Sequence, residues 1–587
     1  MSHRGLESVG HRPGDHQPLR NRRIMFDSLY SVSVSVRKTM SAHIVLQRLD
    51  RHLPLTGLFL GTLFFALSLT PSLLPRTYLV QGILSGCAFA IGYAIGVSLQ
   101  WIWDFMELKL PEALWTIWLK LGLLACSVAF AVYCLYQTFY WQNSVRRLMG
   151  ELPVETGHPL SVFMVALVPA SVFVLIGTIL VHVVRLISRW LMRVVPRRVA
   201  FVGSVLIVTI IAVTLFNGVL LRGALRAADN FFAQLDSVVM QSGAPPIDPL
   251  SSGSAKSLIA WNTVGRDGRV YVQTGPSKEA IEAVTGRPAM DPLRVYVGLR
   301  SAETTEERAE LALQEMLRVG AFDRSVLVVI MPVGTGWVDP PSIDMLEYLM
   351  GGDVASVALQ YSYLTSPLSL VVEPDYGTAA AQALFQKVYD HWTNLPKQTR
   401  PRLYLNGLSL GAHASQASIQ VFDILGDPFH GALWVGPPFT SAIWGFATRN
   451  RHPDSPEWLP RFGNESSIRF TLHGEGLTDT HAAWGPVRIA FMQHDTDPIV
   501  FFDWPTLYRA PDWMNGERGP GVPPELRWYP VITFLQLALD MALGQTAPAG
   551  HGHLYAAHEY LDAWTALMQP NDWDAQSIAQ LHQSLSS

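Results

Sequence analysis

Asn406-Gly407-Leu408-Ser409-Leu410-Gly411-Ala412 is the stretch on which the reading of this chain turns. It follows a strand-like run, residues 401–405, and opens a helix-like run, residues 412–425. Strand, sharp bend and helix in that order present a serine hydroxyl beside a helix N-terminus. Glycine is needed on both sides of the serine because the bend is tight and side chains there would collide. The pentapeptide Gly-x-Ser-x-Gly is a weak signal by itself. Its place between strand and helix makes Ser409 a candidate nucleophile.

A serine alone is a poor nucleophile. It needs a base to take its proton and a carboxylate to orient that base. With an elbow of this type the chain order is serine, acid, histidine. A late strand at 487–492 runs into Gln493-His494-Asp495-Thr496-Asp497-Pro498. Asp497 is the first choice for the acid and Asp495 the alternate; the bland reading of either is an Asx-turn or a helix cap. The base belongs on a loop near the C-terminus, and Gly550-His551-Gly552-His553-Leu554-Tyr555 supplies one. His553 is favoured and His551 is the alternate. Two histidines two apart also suit zinc, but no third ligand is signposted, so the expectation is no metal and no cofactor. An oxyanion hole needs two backbone N–H groups. Leu410 would give one. Thr335 or Gly336, in the glycine-rich loop Pro332-Val333-Gly334-Thr335-Gly336-Trp337, would give the other. That loop is not a phosphate-binding P-loop, since no Gly-Lys-Ser/Thr follows.

Outward from the elbow, residues 258–575 alternate strand and helix. Strands are expected at 270–274, 293–299, 325–331, 354–363, 402–405, 431–435 and 487–492, and helices at 305–319 and 378–393. Such alternation implies a mostly parallel sheet covered on both faces, with reactive groups at the strands' carboxyl ends. Two long segments interrupt it. Residues 437–486 carry Trp444, Trp458 and Trp484; residues 501–548 carry Trp504, Trp513 and Trp528. Both read as lids over the site. Their rings either suit an apolar substrate or only pack the lid onto the body.

The first half of the chain is different. Spans of the ~20 apolar residues needed to cross a bilayer are expected at 53–75, 78–103, 114–140, 160–187 and 199–222. Basic residues cluster in the leading tail and in the fourth loop, at Arg185, Arg189, Arg193, Arg197 and Arg198. The positive-inside rule puts both in the cytoplasm. Five crossings then give a multi-pass cell-membrane protein with a cytoplasmic N-terminus and an extracytoplasmic C-terminal half. The domain reading is a flexible basic tail (1–50), a five-span helical domain (51–225), a stalk helix with a Ser/Gly/Pro-rich linker (226–257) and a catalytic domain (258–575). The start lacks the compact apolar stretch and cleavage site of a signal peptide.

Of the 587 residues only 15% are charged, below the roughly one quarter of soluble domains, and the net charge is −4. This balance excludes a general nucleic-acid binder. Cys87, Cys126 and Cys134 all lie in apolar segments, so the C-terminal half has neither a cysteine nucleophile nor an internal disulfide. At this point the chain resembles the membrane-anchored α/β-hydrolase family known mainly from actinobacteria. The resemblance rests on the elbow, the Gly334-Thr335-Gly336 loop, the Asp495/Asp497 segment and the Gly550–His553 loop behind five spans. It implies an α/β-hydrolase fold with lid insertions and a hydrolase-like activity, without an assigned substrate. The reading is a serine esterase or lipase acting on a lipid or cell-envelope ester, with the bilayer and an apolar ester as its partners. An acyltransferase with the same triad is one alternative. A non-catalytic transporter or scaffold is another, but such proteins bury ionisable groups within their spans, and few are present.

Overall fold

The computed structural model describes residues 54–108, 114–216, 218, 244–364, 374–420, 425–478 and 480–586. The tail at 1–50 and most of the expected stalk lie outside the described residues. Among the described residues the first helices are α1 Leu55–Ser68, α2 Tyr78–Phe105, α3 Leu114–Leu148, α4 Pro159–Leu191 and α5 Arg197–Thr214. Four of them, α2 to α5, are long and apolar enough to cross a membrane. Only 6% of the most apolar window of α4 is buried within the protein, so its apolar surface faces outward on nearly every side, which is compatible with a membrane span.

The first expected span is corrected. Helix α1 has 14 residues, about 21 Å, short of the ~30 Å hydrocarbon core. Pro71 and Pro75 each lack the N–H that would extend the helical ladder, and the chain at 69–76 leaves the helical path and packs into the α/β body. There Leu73 and Leu74 join the hydrophobic core and Arg76 is buried.

The chain divides into two compact units, one of residues up to Ala66 with Ala88–Tyr133, the other of Leu67–Cys87 with Cys134–Ser587. In the first, α1 meets the second half of α2 at glycines: a Cβ on Gly96 would lie 2.5 Å from the carbonyl oxygen of Thr56. Small residues that let backbones approach are how apolar helices associate where lipid competes. In the second unit the start of α2 meets α4 in the same way, at Gly82 and Gly86.

The rest of the second unit is an α/β body. It contains α6 Arg266–Gln273, α7 Lys278–Thr285, β1 Leu293–Val297, α8 Thr305–Val319, β2 Val326–Met331, α9 Pro340–Leu349, β3 Val354–Leu359 and α10 Pro374–Thr393. Then follow β4 Arg402–Leu408, α11 Leu410–Ala417, β5 Gly431–Val435, α12 Ala442–Arg449, β6 Ile468–Thr471, β7 Arg488–Met492, α13 Pro498–Phe501, α14 Ile532–Leu543, α15 Ala557–Met568 and α16 Ala575–Ser586. The strand expected at 270–274 is instead part of α6. Asp267, Gly268 and Tyr271 bury one helical face while Val270 is exposed. Gly268 lies against the Tyr296 ring. The Val-Tyr-Val alternation is therefore the edge of an amphipathic helix.

Among the described residues seven strands form one parallel sheet, in the order β1-β3-β2-β4-β5-β7-β6. Chain direction across the sheet reverses around β2. From β2 the chain steps back to β3, then crosses to β4 on the other side. Loops leaving β2 and β4 therefore diverge and leave a crevice at the carboxyl ends. β2, β3 and β5 are buried throughout, which explains their Val/Leu/Ile/Ala-rich sequences. β6 lies inside the segment read as the first lid; four residues were too few to mark it as a strand. In both insertions the rings mostly pack inward, since Trp444, Trp458 and Trp513 are buried, but Trp504 stays exposed.

Candidate active site

Ser409 sits where β4 ends and α11 begins, with φ 55° and ψ −123°. A residue other than glycine rarely holds such a backbone unless its surroundings enforce it. Here they do. The Ser409 N–H donates to the Val435 carbonyl at 2.9 Å. A Cβ on Gly411 would lie 2.0 Å from the Met331 carbonyl oxygen, and one on Gly407 would meet the Gly411 carbonyl at 2.5 Å. Both glycines are thus demanded by close backbone approach.

Past β7, Asp497 is fully buried and uses both carboxylate oxygens. Oδ1 caps α13 by accepting from the Ile499 N–H at 2.9 Å. Oδ2 accepts from His553 Nδ1 at 2.7 Å and from the Tyr555 hydroxyl at 2.8 Å. Asp497 thus caps a helix with one oxygen and pairs with an imidazole through the other. Burial and the neighbouring Asp497 push the Tyr555 phenol well above its ordinary range, so it stays a donor.

The His553 loop is fixed from several sides. The His553 N–H donates to the Gly544 carbonyl at 2.9 Å and the Gly552 N–H to Thr496 Oγ1 at 3.0 Å. His494 Nδ1 donates to the Gly552 carbonyl at 2.9 Å, and Tyr555 stacks on the His494 ring at 4.1 Å. Gly436, with φ 49°, passes against the imidazole of His553, where a Cβ would meet Cε1 at 2.6 Å. With Nδ1–H donating to a carboxylate, His553 has its acceptor lone pair on Nε2. That nitrogen is buried and has no hydrogen-bond partner among the described residues. His553 and Ser409 line the same cavity.

The alternates are placed elsewhere. Asp495 Oδ2 accepts from the Gly521 N–H at 2.5 Å and so pins the second insertion; burial pushes its carboxyl up. The half-buried His551 faces the His473 ring at 6.0 Å. The loop after β2 closes on itself: the Gly336 N–H donates to the Val333 carbonyl at 2.8 Å, and that of Val333 to Trp337 at 3.0 Å. Gly336 is thus corrected as a donor, its N–H being spent within the turn. The Thr335 N–H has no partner among the described residues, and Thr335 lines the cavity. Leu410, at the first position of α11, has an N–H that the helix leaves unpaired, and it also lines the cavity.

The cavity has a volume of about 600 Å³ and is mainly apolar, walled by Phe439, Ile499 and, from α14, Ala538, Met541 and Ala542. Three groups near it carried no sequence signal strong enough to single them out. Tyr555 lies two residues past His553. His494 lies within the acid segment, where only its aspartates drew attention. Asp339, before the Pro-Pro that starts α9, lines the cavity; burial pushes its carboxyl up to about 6, and it accepts from the Tyr560 hydroxyl at 2.7 Å.

Behind the loop, His473 Nδ1, His494 Nε2 and Glu559 Oε1 converge, a group with the composition to hold a metal ion. His473 and His494 stand 2.8 and 2.9 Å from that oxygen, the spacing of ordinary hydrogen bonds. Burial alone would raise Glu559, but the hydrogen bonds from both histidines outweigh it and hold the carboxyl well below its usual range. The cluster is not part of the cavity wall, and its contacts tie β7, the His473 loop and α15 together.

A family model described as an alpha/beta-hydrolase family matches residues 293–581, and one described as the N-terminus of an alpha/beta-hydrolase family matches residues 69–276. No curated protein and no solved structure matches significantly.

Proposed function

The chain belongs to the α/β-hydrolase family, and from that premise we propose a membrane-anchored serine esterase in which Ser409, His553 and Asp497 form the catalytic triad. The observation that carries the reading is the His553 imidazole. Its Nδ1 is locked to a buried carboxylate, its Nε2 has no partner among the described residues, and His553 lines the same cavity as Ser409. Nε2 accepts the Ser409 proton as Oγ attacks the ester carbonyl. The Leu410 and Thr335 N–H groups receive the developing oxyanion. Collapse breaks the C–O bond, and the imidazolium returns its proton to the leaving alcohol. Water then repeats the sequence on the acyl-serine and releases the acid. The hydrogen bond from Ser409 to Nε2 forms as substrate enters, since such contacts tighten in the working complex. The mainly apolar walls favour an acyl chain over a polar acid.

A fluorophosphonate probe tests this directly. The wild type should label and Ser409→Ala should not; equal labelling of both, or of neither, defeats the proposal.

The same reading places the active site outside the cytoplasm. The α1–α2 link at 69–76 and the end of α3 both pack into the α/β body: Arg76 pairs with Asp540, and Ser144 bonds Glu525. The body also follows α5. With the Arg cluster between α4 and α5 inside, the body lies outside whether or not α1 crosses. Protease added to intact cells should cut the C-terminal half.

A further inference from the structure

The membrane-facing link does more than tether the α/β body. Gln536 Nε2 of α14 donates to the Thr70 carbonyl at 2.8 Å, and Asp540 of α14 takes the Arg76 guanidinium at 2.7 Å. The opposite side of the same helix carries Ala538, Met541 and Ala542 of the cavity wall. Helix α14 is therefore held at the level where the chain leaves one apolar helix and enters the next. Beside it runs the turn at 504–508. Its Trp504 is 65% exposed and Tyr508 71%, with Leu507 exposed next to them. The Val531 N–H, at the start of α14, bonds the Leu507 carbonyl at 2.9 Å. An aromatic file joins this turn to the cavity. Phe439, on the cavity wall, packs on Phe502 at 5.1 Å; Phe502 packs on Trp504 at 5.6 Å and on Phe534 of α14 at 5.1 Å.

We propose that the Trp504–Tyr508 turn is set in the interfacial layer of the lipid bilayer, and that together with α14 it forms a lateral portal through which the acyl chain of a membrane-resident ester reaches Ser409. This rests on the serine-esterase reading and adds the substrate class and its route. Tryptophan and tyrosine prefer the headgroup level, where one part of the ring is apolar and another wet. In a body held to the membrane by its helices, an exposed Trp/Leu/Tyr turn packed on α14, the helix that also holds the link, is set at that level. The apolar file behind it offers an acyl chain a dry path.

The test uses the full chain in vesicles of phosphatidylcholine with phosphatidylglycerol. Tyr508→Asp and the triple variant Trp504→Ser/Leu507→Ser/Tyr508→Ser should hydrolyse a water-soluble butyrate ester within about twofold of the wild type. On a long-chain diacylglycerol in the same vesicles both should fall by about tenfold or more, because an acyl chain no longer meets an apolar mouth at the interface. Brominated lipids should quench wild-type fluorescence more than that of Trp504→Phe. Undiminished hydrolysis of the diacylglycerol by both variants overturns the portal. So does Trp504 emission that brominated lipids leave unchanged, as a turn covered by a protein partner would give. Loss of butyrate hydrolysis in Ser409→Ala, run alongside, separates failure of the portal from failure of the esterase reading.

Discussion

Replacing Arg76 by methionine should unsettle the α/β body, in which its counter-charge, Asp540, lies 464 positions further along the chain. The guanidinium and the Asp540 carboxylate are both buried, with side-chain exposures of 1% and 0%. Nε and Nη2 reach Asp540 Oδ1 at 3.0 and 2.7 Å, and Nη2 also reaches the Gln536 carbonyl at 3.2 Å. Ser72 Oγ donates to the other carboxylate oxygen. Without Arg76, Asp540 keeps a hydroxyl but no counter-charge in an apolar setting. Removing one partner of a buried pair costs about 3–5 kcal/mol, whereas replacing both by apolar side chains is often nearly neutral. Arg76→Met should therefore lower the Tm of the detergent-solubilised protein by about 10 °C, while Arg76→Met/Asp540→Leu recovers most of the loss. Because α14 carries part of the cavity wall, the single variant should also lose the proposed esterase activity well below its melting point. The assay is a double-mutant cycle read by tryptophan fluorescence and by activity. A single variant as stable as the wild type, or a double variant no better than the single, refutes the argument.

Two further outcomes follow from the site. Asp339 has a folded pKa of about 6 against 3.8 in the unfolded chain. A carboxyl raised by burial contributes stability that is whole below the unfolded value and is lost as pH rises through the folded one, up to about 3 kcal/mol here. Asp339→Asn, which does not ionise, should thus gain stability relative to the wild type between pH 4 and pH 7; a difference that stays flat with pH sinks the assignment. Tyr555→Phe removes one of three hydrogen bonds to the buried Asp497, a loss of about 1–3 kcal/mol. Since Tyr555 is not part of the cavity wall, kcat should fall by about tenfold with KM little changed; a raised KM at unchanged kcat would contradict that role.

What could be read from the chain was local or ordered along it. Gly407 and Gly411 are dictated by contacts within a few residues of Ser409 and by the neighbouring strand end, and the pentapeptide carries that information. Asp497 and His553 could be nominated because acid and base come in a fixed order after the nucleophile; the structure brings these two together at 2.7 Å. What escaped was set by distant partners. Nothing near Arg76 announces Asp540, so an apolar run broken by two prolines read as part of a span. The exposed Val270 and buried Tyr271 could be sorted only once β1 lay beneath them. Gly336 looked like an oxyanion donor because glycine permits close approach, but its positive φ of 90° serves the turn, and its N–H is consumed there. Asp339 and His494 are ordinary letters until burial and convergence give them work.

Residues 69–76 have a practical bearing on anyone who would cut this protein. A soluble piece beginning near residue 244 would keep every strand and all three proposed triad members. It would also strand an aspartate in oil, strip Leu74 from beneath Gly552 in the histidine loop, and leave a helix of the cavity wall unmoored. By sequence position the boundary between the apolar helices and the α/β body falls after α5; by packing, a short strap between the first two helices already belongs to the body.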